Sequence, residues 1–155
     1  MDAVCYTLEG AVEKAIESEQ QSFQVYREAL KKAKDSQAKT VLKELASEEL
    51  EHKHTLEKAL LGETLALHEK SEATGPSMNL SYFLREQPLN ESSSAQDVMM
   101  HAIHDEKRSV DFYQQLASQC GGAPMAEVFA KLQRQEMIHL TRLEETYEKL
   151  YMSQM

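Results

Sequence analysis

The sequence predicts an all-α protein in which four helices form a bundle of two antiparallel hairpins joined by a long crossover. The 155 residues include only 5 Gly and 3 Pro, too few for a protein built from many turns, and they are rich in helix-forming Glu, Lys, Ala and Leu. Four stretches repeat apolar residues at alternating spacings of four and three, which is typical of helices with one buried face. The length fits a single domain over residues 1–155.

The first hairpin is predicted over residues 8–61. Its two helices should run from about 8–33 and from about 36–61, and either Asp35 or Ser36 can cap the start of the second. Because the connection between them is short, the two helices should be antiparallel neighbours.

Residues 62–94 form the predicted crossover linker. This stretch contains Gly75, Pro76, Pro88 and several serines, and a structureless loop of this length is unusual inside a compact domain. A connection that travels the length of the bundle explains it. The apolar patch at 80–84 predicts a short helix lying on the bundle.

The second hairpin is predicted over residues 95–151. Its helices should cover about 95–119 and 124–151, and the serines at 92–94 offer an N-cap for the first of them. The glycine pair at 121–122 can end that helix by adopting left-handed backbone angles.

The two hairpins repeat each other at a constant offset of 87 residues without a gap. The matches fall mainly on the inward faces, as with Ile16 and Ile103. One helical hairpin cannot bury its own apolar face, so two similar hairpins should pack against each other. The repeat therefore predicts a bundle with approximate twofold symmetry. The same offset relates three pairs of polar residues on those faces: Glu19 with Glu106, Glu49 with Glu136, and His52 with His139.

These inward-facing acids predict a metal site. A buried carboxylate without a partner is costly and normally takes up a proton, whereas two divalent cations would balance four carboxylates. Residues three apart share one helix face, so Glu49 and His52 can reach one ion, as can Glu136 and His139. One Glu from each of two helices and a Glu-x-x-His pair from each of the others is the di-iron pattern of such bundles. Carboxylate and imidazole ligands suit iron or manganese.

An alternative interpretation keeps the same helices without a metal. If the helices packed slightly rotated, Glu19 and Glu106 would lie at a wet edge of the bundle. The off-face acids Glu48, Glu51 and Asp105 show that carboxylates also occur elsewhere on these helices. The other histidines lie off the inward faces and are interpreted as surface or interface residues: His54, His68, His101 and His104.

The four stretches 19–26, 49–52, 106–113 and 136–139 resemble the ferritin-like di-iron carboxylate superfamily, and within it the rubrerythrin group. The resemblance covers all four helices. It implies two iron ions per chain, with manganese or zinc as possible substitutes. It implies terminal ligands at Glu19 and Glu106, bridging ligands at Glu49 and Glu136, and one imidazole ligand for each metal at His52 and His139.

Tyr26 and Tyr113 follow Glu19 and Glu106 by seven residues, or two helical turns. They are candidates to donate hydrogen bonds to ligand carboxylates, and an ordinary place in the core is the alternative.

The chain departs from typical rubrerythrins in two respects. It lacks the rubredoxin module with four cysteine ligands, so reducing electrons would come from an external donor, a rubredoxin-like protein or a flavoprotein reductase. Typical members also carry a second glutamate three residues after the one at position 106, where this chain has Ser109, mirrored by Ser22 in the first hairpin. The site is therefore more symmetric.

Three functions remain open at this point. The first is a di-iron oxidoreductase that reduces hydrogen peroxide or dioxygen. The second is a ferroxidase or iron-handling protein, and the third is a non-catalytic bundle stabilised by metal. We expect a homodimer, because the sequence shows no fifth helix of the kind many ferritins use to build a shell.

The net charge of −9 argues against a nucleic-acid partner, because phosphate contacts need clustered Lys and Arg. The first ten residues carry no long apolar run, and no stretch approaches the length of a membrane span. We therefore expect a cytoplasmic protein without membrane association. Cys5 and Cys120 are interpreted as two thiols in a reducing compartment, with one disulfide as the alternative.

Overall fold

A computed structural model of the protein describes residues 8–61, 76–119 and 125–152. The prediction of an all-α fold is confirmed, since every regular element within these residues is helical. The elements are α1 (Leu8–Lys32), α2 (Ser36–Leu60), α3 (Leu80–Phe83), α4 (Ala95–Gln119) and α5 (Met125–Tyr147), followed by a π-helical turn at Glu148–Met152.

Side-chain caps fix where α2 and α4 begin. The Asp35 carboxylate accepts a 2.9 Å hydrogen bond from the backbone N–H of Ala38, so Asp35 is the N-cap of α2. At the start of α4, the Ser94 hydroxyl accepts a bond from the N–H of Asp97, and the Asp97 carboxylate accepts one from the N–H of Ser94. This reciprocal pair satisfies two backbone donors that the helix itself leaves unbonded.

The helices pack as two antiparallel hairpins. Val12 near the start of α1 and Leu56 near the end of α2 belong to one buried cluster, which also contains Leu116 from the end of α4 and Phe129 from the start of α5. Closest packing occurs between α1 and α2 and between α4 and α5, and α2 also contacts α4.

Two apolar layers fill the ends of the bundle. The first layer is the cluster that holds Val12, Leu56 and Phe129. The second holds Tyr26, Leu42 and their neighbours, where alanines of α2 and α4 allow the two backbones to approach closely. Between the layers every long helix presents polar residues inward, so the apolar core is interrupted by one polar layer.

The described part of the crossover is held against the second hairpin by one buried carboxylate. Glu144 of α5 is 1 % exposed and accepts hydrogen bonds from the Ser77 hydroxyl and from the backbone N–H groups of Met78 and Leu80. The short helix α3 then buries Leu80 against α4 and α5. The expected helix in this patch is therefore present, at Leu80–Phe83.

The predicted helix ends differ from the observed ones mainly at the C-terminal end of the chain. The α-helical hydrogen bonding of α5 stops at Tyr147, and a wider π-helical turn continues to Met152, where Tyr151 packs on Tyr147 at 5.1 Å between ring centroids. An apolar repeat shows that a segment is helical but does not distinguish these two bonding patterns.

Several sequence-based expectations lie outside the described residues. They concern the thiols Cys5 and Cys120, the glycine pair at 121–122, the helix start near Pro124, His68, and the crossover between 62 and 75. Within the described part, no helix is both long and apolar enough to cross a lipid bilayer.

Candidate metal centre

The polar layer consists of the six residues predicted as ligands. In each long helix they lie between a residue of one apolar layer and a residue of the other, as Glu19 lies between Ala15 and Tyr26 on α1. Five of the six are at most 5 % exposed, and His139 is slightly more open, with 14 % of its side chain exposed. The layer comprises Glu19, Glu49, His52, Glu106, Glu136 and His139.

Potential ligand atoms in this layer approach closely enough to share ions. Three groups each have ligand atoms within 4.8 Å of one another: Glu19, Glu49 and His52; Glu49, Glu106 and Glu136; and His52, Glu136 and His139. Glu49, His52 and Glu136 each occur in two groups, whereas Glu19, Glu106 and His139 each occur in one. The groups overlap through these shared residues, which is the geometry expected if the six residues hold two neighbouring ions.

The two imidazoles lie against each other within the layer. The rings of His52 and His139 stack with centroids 5.1 Å apart and planes inclined by 4°. His52 Nδ1 is 2.8 Å from Glu136 Oε1, but the pair does not have the alignment of a hydrogen bond. His139 Nδ1 lies 3.9 Å from Glu136 Oε2 and 4.0 Å from Glu106 Oε1.

The crowding of carboxylates changes their proton affinity. Burial, together with the charges of Glu19, Glu136 and Glu106, raises the pKa of Glu49 well above its usual value. Burial and the neighbouring Glu136 raise the pKa of Glu106 in the same way. Without metal, both side chains therefore favour the protonated form.

Glu136 and His52 behave as an opposite pair. Burial alone would raise the pKa of Glu136, but the attraction of His52, with smaller contributions from Glu106 and His139, outweighs burial and lowers that pKa to about 2. Burial alone would lower the pKa of His52, and Glu136 together with Glu19 reverses the direction, so that the His52 pKa is raised. An imidazolium and a carboxylate thus neutralise each other in the polar layer.

The two tyrosines bond differently, contrary to the symmetry of the sequence repeat. The Tyr113 hydroxyl donates a 2.5 Å hydrogen bond to Glu19 Oε1, which is the contact with a candidate ligand that was one of the two alternatives for this residue. The Tyr26 hydroxyl instead donates at 2.8 Å to Asp105, the neighbour of Glu106. Of the two alternatives left open for Tyr26, the structure places its ring in the buried core, with the hydroxyl bonded to Asp105 and not to one of the six candidate ligands. The reason is that position 105 is an aspartate within reach, whereas the corresponding position in the first hairpin is Ser18.

Residues beyond the six also belong to the surroundings of the site. Asp105 and Glu48, whose Oε2 is 3.6 Å from His139 Nδ1, were recognised in the sequence only as acids off the inward face. Their position beside Glu106 and Glu49 in the sequence was the one available signal. His101 and His104 lie outside the polar layer, where His104 Nε2 is 2.7 Å from the Leu84 carbonyl and His101 faces Glu86.

The chemistry of these side chains fits a pair of divalent cations. Among the described residues, both oxygens of Glu106 and of Glu136 lack a hydrogen-bond partner, as do Glu19 Oε2, Glu49 Oε2 and the Nδ1 atoms of His52 and His139. Buried polar atoms are nearly always satisfied in folded proteins, so this many convergent exceptions needs a cause. Two cations bound by carboxylates and imidazoles would satisfy these atoms and balance the buried charge.

The two-hairpin bundle and its polar layer define a di-iron protein of the ferritin-like class. The family model of rubrerythrin matches residues 11–151, and the chain belongs to this family. No curated protein and no solved structure gives a significant match to the chain.

Proposed function

We propose that the protein reduces hydrogen peroxide to water at a di-iron centre, with electrons from a separate donor protein. The single observation that carries the proposal is the buried layer of four carboxylates and two imidazoles with unsatisfied ligand atoms. Two ferrous ions bound there would supply the two electrons that peroxide needs and would act as Lewis acids.

The proposed ligand roles are those that the resemblance to rubrerythrins implies, and the overlapping groups of ligand atoms support them. Glu49 and Glu136, which each occur in two of the three groups, would bridge the two ions, and Glu19 and Glu106 would each bind one ion. His52 and His139 would each complete the coordination of one metal. In this arrangement the Tyr113 hydroxyl holds Glu19 in place through its hydrogen bond.

The rest of the bundle would keep water away from the site. The apolar layers on either side contain fully buried residues such as Leu42 and Phe129. A dry surrounding strengthens the electrostatic attraction between carboxylates and cations and limits side reactions.

The partners are also part of the proposal. A donor protein must dock on the surface of this protein to deliver electrons to the centre. A homodimer would need an exposed apolar surface through which the two chains associate. The aromatic side chains of Tyr82 and Phe83 on α3 are 86 % and 74 % exposed, which makes them available for such a contact. Sedimentation of wild-type protein and of a Tyr82→Ser, Phe83→Ser variant would test the dimer, which we expect to weaken in the variant.

Oxidation of Fe(II), with release or delivery of iron, is the alternative function. The same six residues would serve it, and the observation in its favour is Ser109, which stands where typical relatives carry an additional carboxylate. The two functions differ in the oxidant that reacts fastest.

The test is to load the protein with Fe(II) without oxygen and then mix it separately with peroxide and with dioxygen. We expect peroxide to oxidise the bound iron faster, and a reduced donor protein to restore Fe(II) for further turnovers. Faster reaction with dioxygen, without turnover of peroxide, would favour the ferroxidase. Full loading without reaction towards either oxidant would leave a metal-stabilised, non-catalytic bundle.

A further inference from the structure

We propose that divalent cations reach the polar layer between α2 and α5, and that Glu48 is the carboxylate that receives them at the surface. The inference rests on the proposed function, because it concerns how that metal centre is filled. It assigns a role to a residue outside the six predicted ligands.

Ligand atoms form a continuous path from the surface to the interior at this place. The Glu48 side chain on α2 is 38 % exposed, and its Oε2 lies 3.6 Å from Nδ1 of His139 on α5, which is 14 % exposed. That same nitrogen lies 4.0 Å from Oε1 of Glu106, whose side chain is 0 % exposed. Both oxygens of Glu106 lack a hydrogen-bond partner among the described residues, so the path ends at an unsatisfied acceptor.

The two ends of the bundle and the side between α1 and α4 are filled by side chains. The two apolar layers close the ends of the bundle. Between α1 and α4, the bulky Tyr26 and Tyr113 are 0 % and 1 % exposed, and their hydroxyl groups bridge the two helices. The backbones of α2 and α5, like those of α1 and α4, approach each other less closely than do the helices within each hairpin, but no tyrosine pair closes the α2–α5 side.

The sequence repeat gives an independent reason to assign the path to one side only. Glu48 and Gln135 are related by the same offset of 87 residues that relates the two sets of ligands. A carboxylate therefore stands beside His139, whereas the equivalent residue of the other hairpin is an uncharged amide. His52, the equivalent of His139, is also more buried, at 5 % exposed.

A half-exposed carboxylate at this position suits the first step of cation capture. A hydrated cation must exchange its water molecules for protein ligands, and Glu48 offers an anionic oxygen before the cation leaves solvent. The net charge of −9 attracts cations to the surface in general, and Glu48 would direct them to His139. Loss of this charge should slow capture without removing any of the six ligands.

The experiment uses Co(II) as the probe and follows its absorbance when it is mixed with metal-free protein. Wild type is compared with Glu48→Gln, and Glu127→Gln serves as the matched control. Glu127 lies on α5, the helix that carries His139, and is about 18 Å from His139 along the helix axis. Its side chain is 70 % exposed. The control loses the same charge, so any difference reports the position of Glu48. Release is then measured by mixing the loaded protein with a chelator.

We expect Glu48→Gln to slow uptake and release of Co(II) by about tenfold each, while the equilibrium stoichiometry and affinity stay those of wild type and the control. Both rates should fall together because a residue on the route affects both directions equally. Glu48→Asp should recover part of the uptake rate. Uptake by Glu48→Gln at the wild-type rate would overturn the inference, as would a faster release with lower affinity, since that would show that Glu48 only orients His139. Absence of Co(II) binding by wild type would overturn the proposed metal centre itself, a distinct result.

Discussion

The hydroxyl of Tyr113 on α4 donates a 2.5 Å hydrogen bond to Oε1 of Glu19 on α1, which joins the two hairpins inside the polar layer. Both side chains are almost fully buried, so this bond is not exchanged for one with water. Charge also affects the phenol, since burial and the nearby Glu19 raise the pKa of Tyr113 well above its usual value. The hydroxyl therefore remains a donor over the whole physiological pH range.

Tyr113→Phe should lower both stability and metal affinity. The change removes the donor and leaves a buried carboxylate oxygen without it, which should cost about 1–3 kcal/mol in the free energy of unfolding. Denaturant unfolding of the metal-free protein and a Co(II) titration measure the two effects. The matched control is Tyr26→Phe, which removes the bond to Asp105 instead. Equal metal affinity in wild type and Tyr113→Phe would contradict the role given to this hydroxyl.

Glu144→Gln should release the crossover without affecting metal binding. The carboxylate accepts hydrogen bonds from the Ser77 hydroxyl and from the N–H groups of Met78 and Leu80. An amide has a single acceptor oxygen, so it can accept only some of these bonds. We expect a loss of about 1–3 kcal/mol in stability and faster hydrogen exchange at residues 78–80. The neighbour Glu145, which is exposed, provides the control Glu145→Gln. Unchanged exchange in Glu144→Gln would show that the apolar contacts of Leu80 alone fix this segment.

The metal-free protein should become less stable as pH rises from about 5 to about 8. Burial and neighbouring carboxylates raise the folded-state pKa of Glu49 and Glu106 above the usual value of 4.5, so their contribution favours folding below that value and is lost as pH rises through the folded pKa. The raised pKa of His52 acts in the same direction above its usual value of 6.5. Glu136 has the opposite effect, but only below 4.5, because its pKa is lowered to about 2.

Thermal unfolding of the metal-free protein across this pH range measures the effect. Each unit by which a pKa is raised corresponds to about 1.4 kcal/mol. Saturating metal should reverse the trend, because ligands must lose their protons before they bind a cation. A metal-free protein whose stability rises steadily from about pH 5 to about pH 8 would be incompatible with protonated Glu49 and Glu106.

Glu106→Gln should separate stability from metal binding. Glu106 is 0 % exposed and both its oxygens lack a hydrogen-bond partner within the described residues, so burial disfavours its charged form, and a neutral amide of the same shape avoids that cost at every pH. We expect the metal-free variant to be at least as stable as wild type while binding fewer than two Co(II) ions. Calorimetric unfolding with and without metal tests both statements. Strong destabilisation of the metal-free variant would contradict this, because it would mean that the Glu106 carboxyl makes a stabilising interaction in the metal-free protein that the amide cannot replace.

Much of the fold was predictable because the helices obey one simple periodicity. Apolar residues at spacings of four and three placed α1 and α4 within a residue of their observed ends, and Asp35 was one of the two cap candidates recognised from residue type and position. The six polar residues stood out because they interrupt that periodicity on the inward faces. The prediction that they bind metal follows from their residue types.

The remaining features depend on contacts between segments that are distant in sequence. Glu144 is four residues after Leu140 and three before Tyr147, both buried, but nothing in this spacing shows that the crossover supplies its partners. Likewise, the hydrogen bond from the Tyr26 hydroxyl to Asp105 depends on the distance and orientation between α1 and α4. An approximate sequence repeat predicts that the two hairpins are symmetric. The positions where the symmetry breaks, such as Tyr26 and Tyr113, are visible only from the side-chain contacts in the structure.

The number of metal ions bound per chain tests the central claim most directly. Metal-free wild type, Glu49→Ala, Glu136→Ala and the exposed control Glu51→Ala would be loaded anaerobically with Fe(II), freed of excess metal and examined by elemental analysis. We predict two ions per chain in wild type and in the control, as in other bundles with this ligand pattern, and a sharp loss in the other two variants. Two ions per chain in both Glu49→Ala and Glu136→Ala, or no bound metal in wild type, would contradict the account.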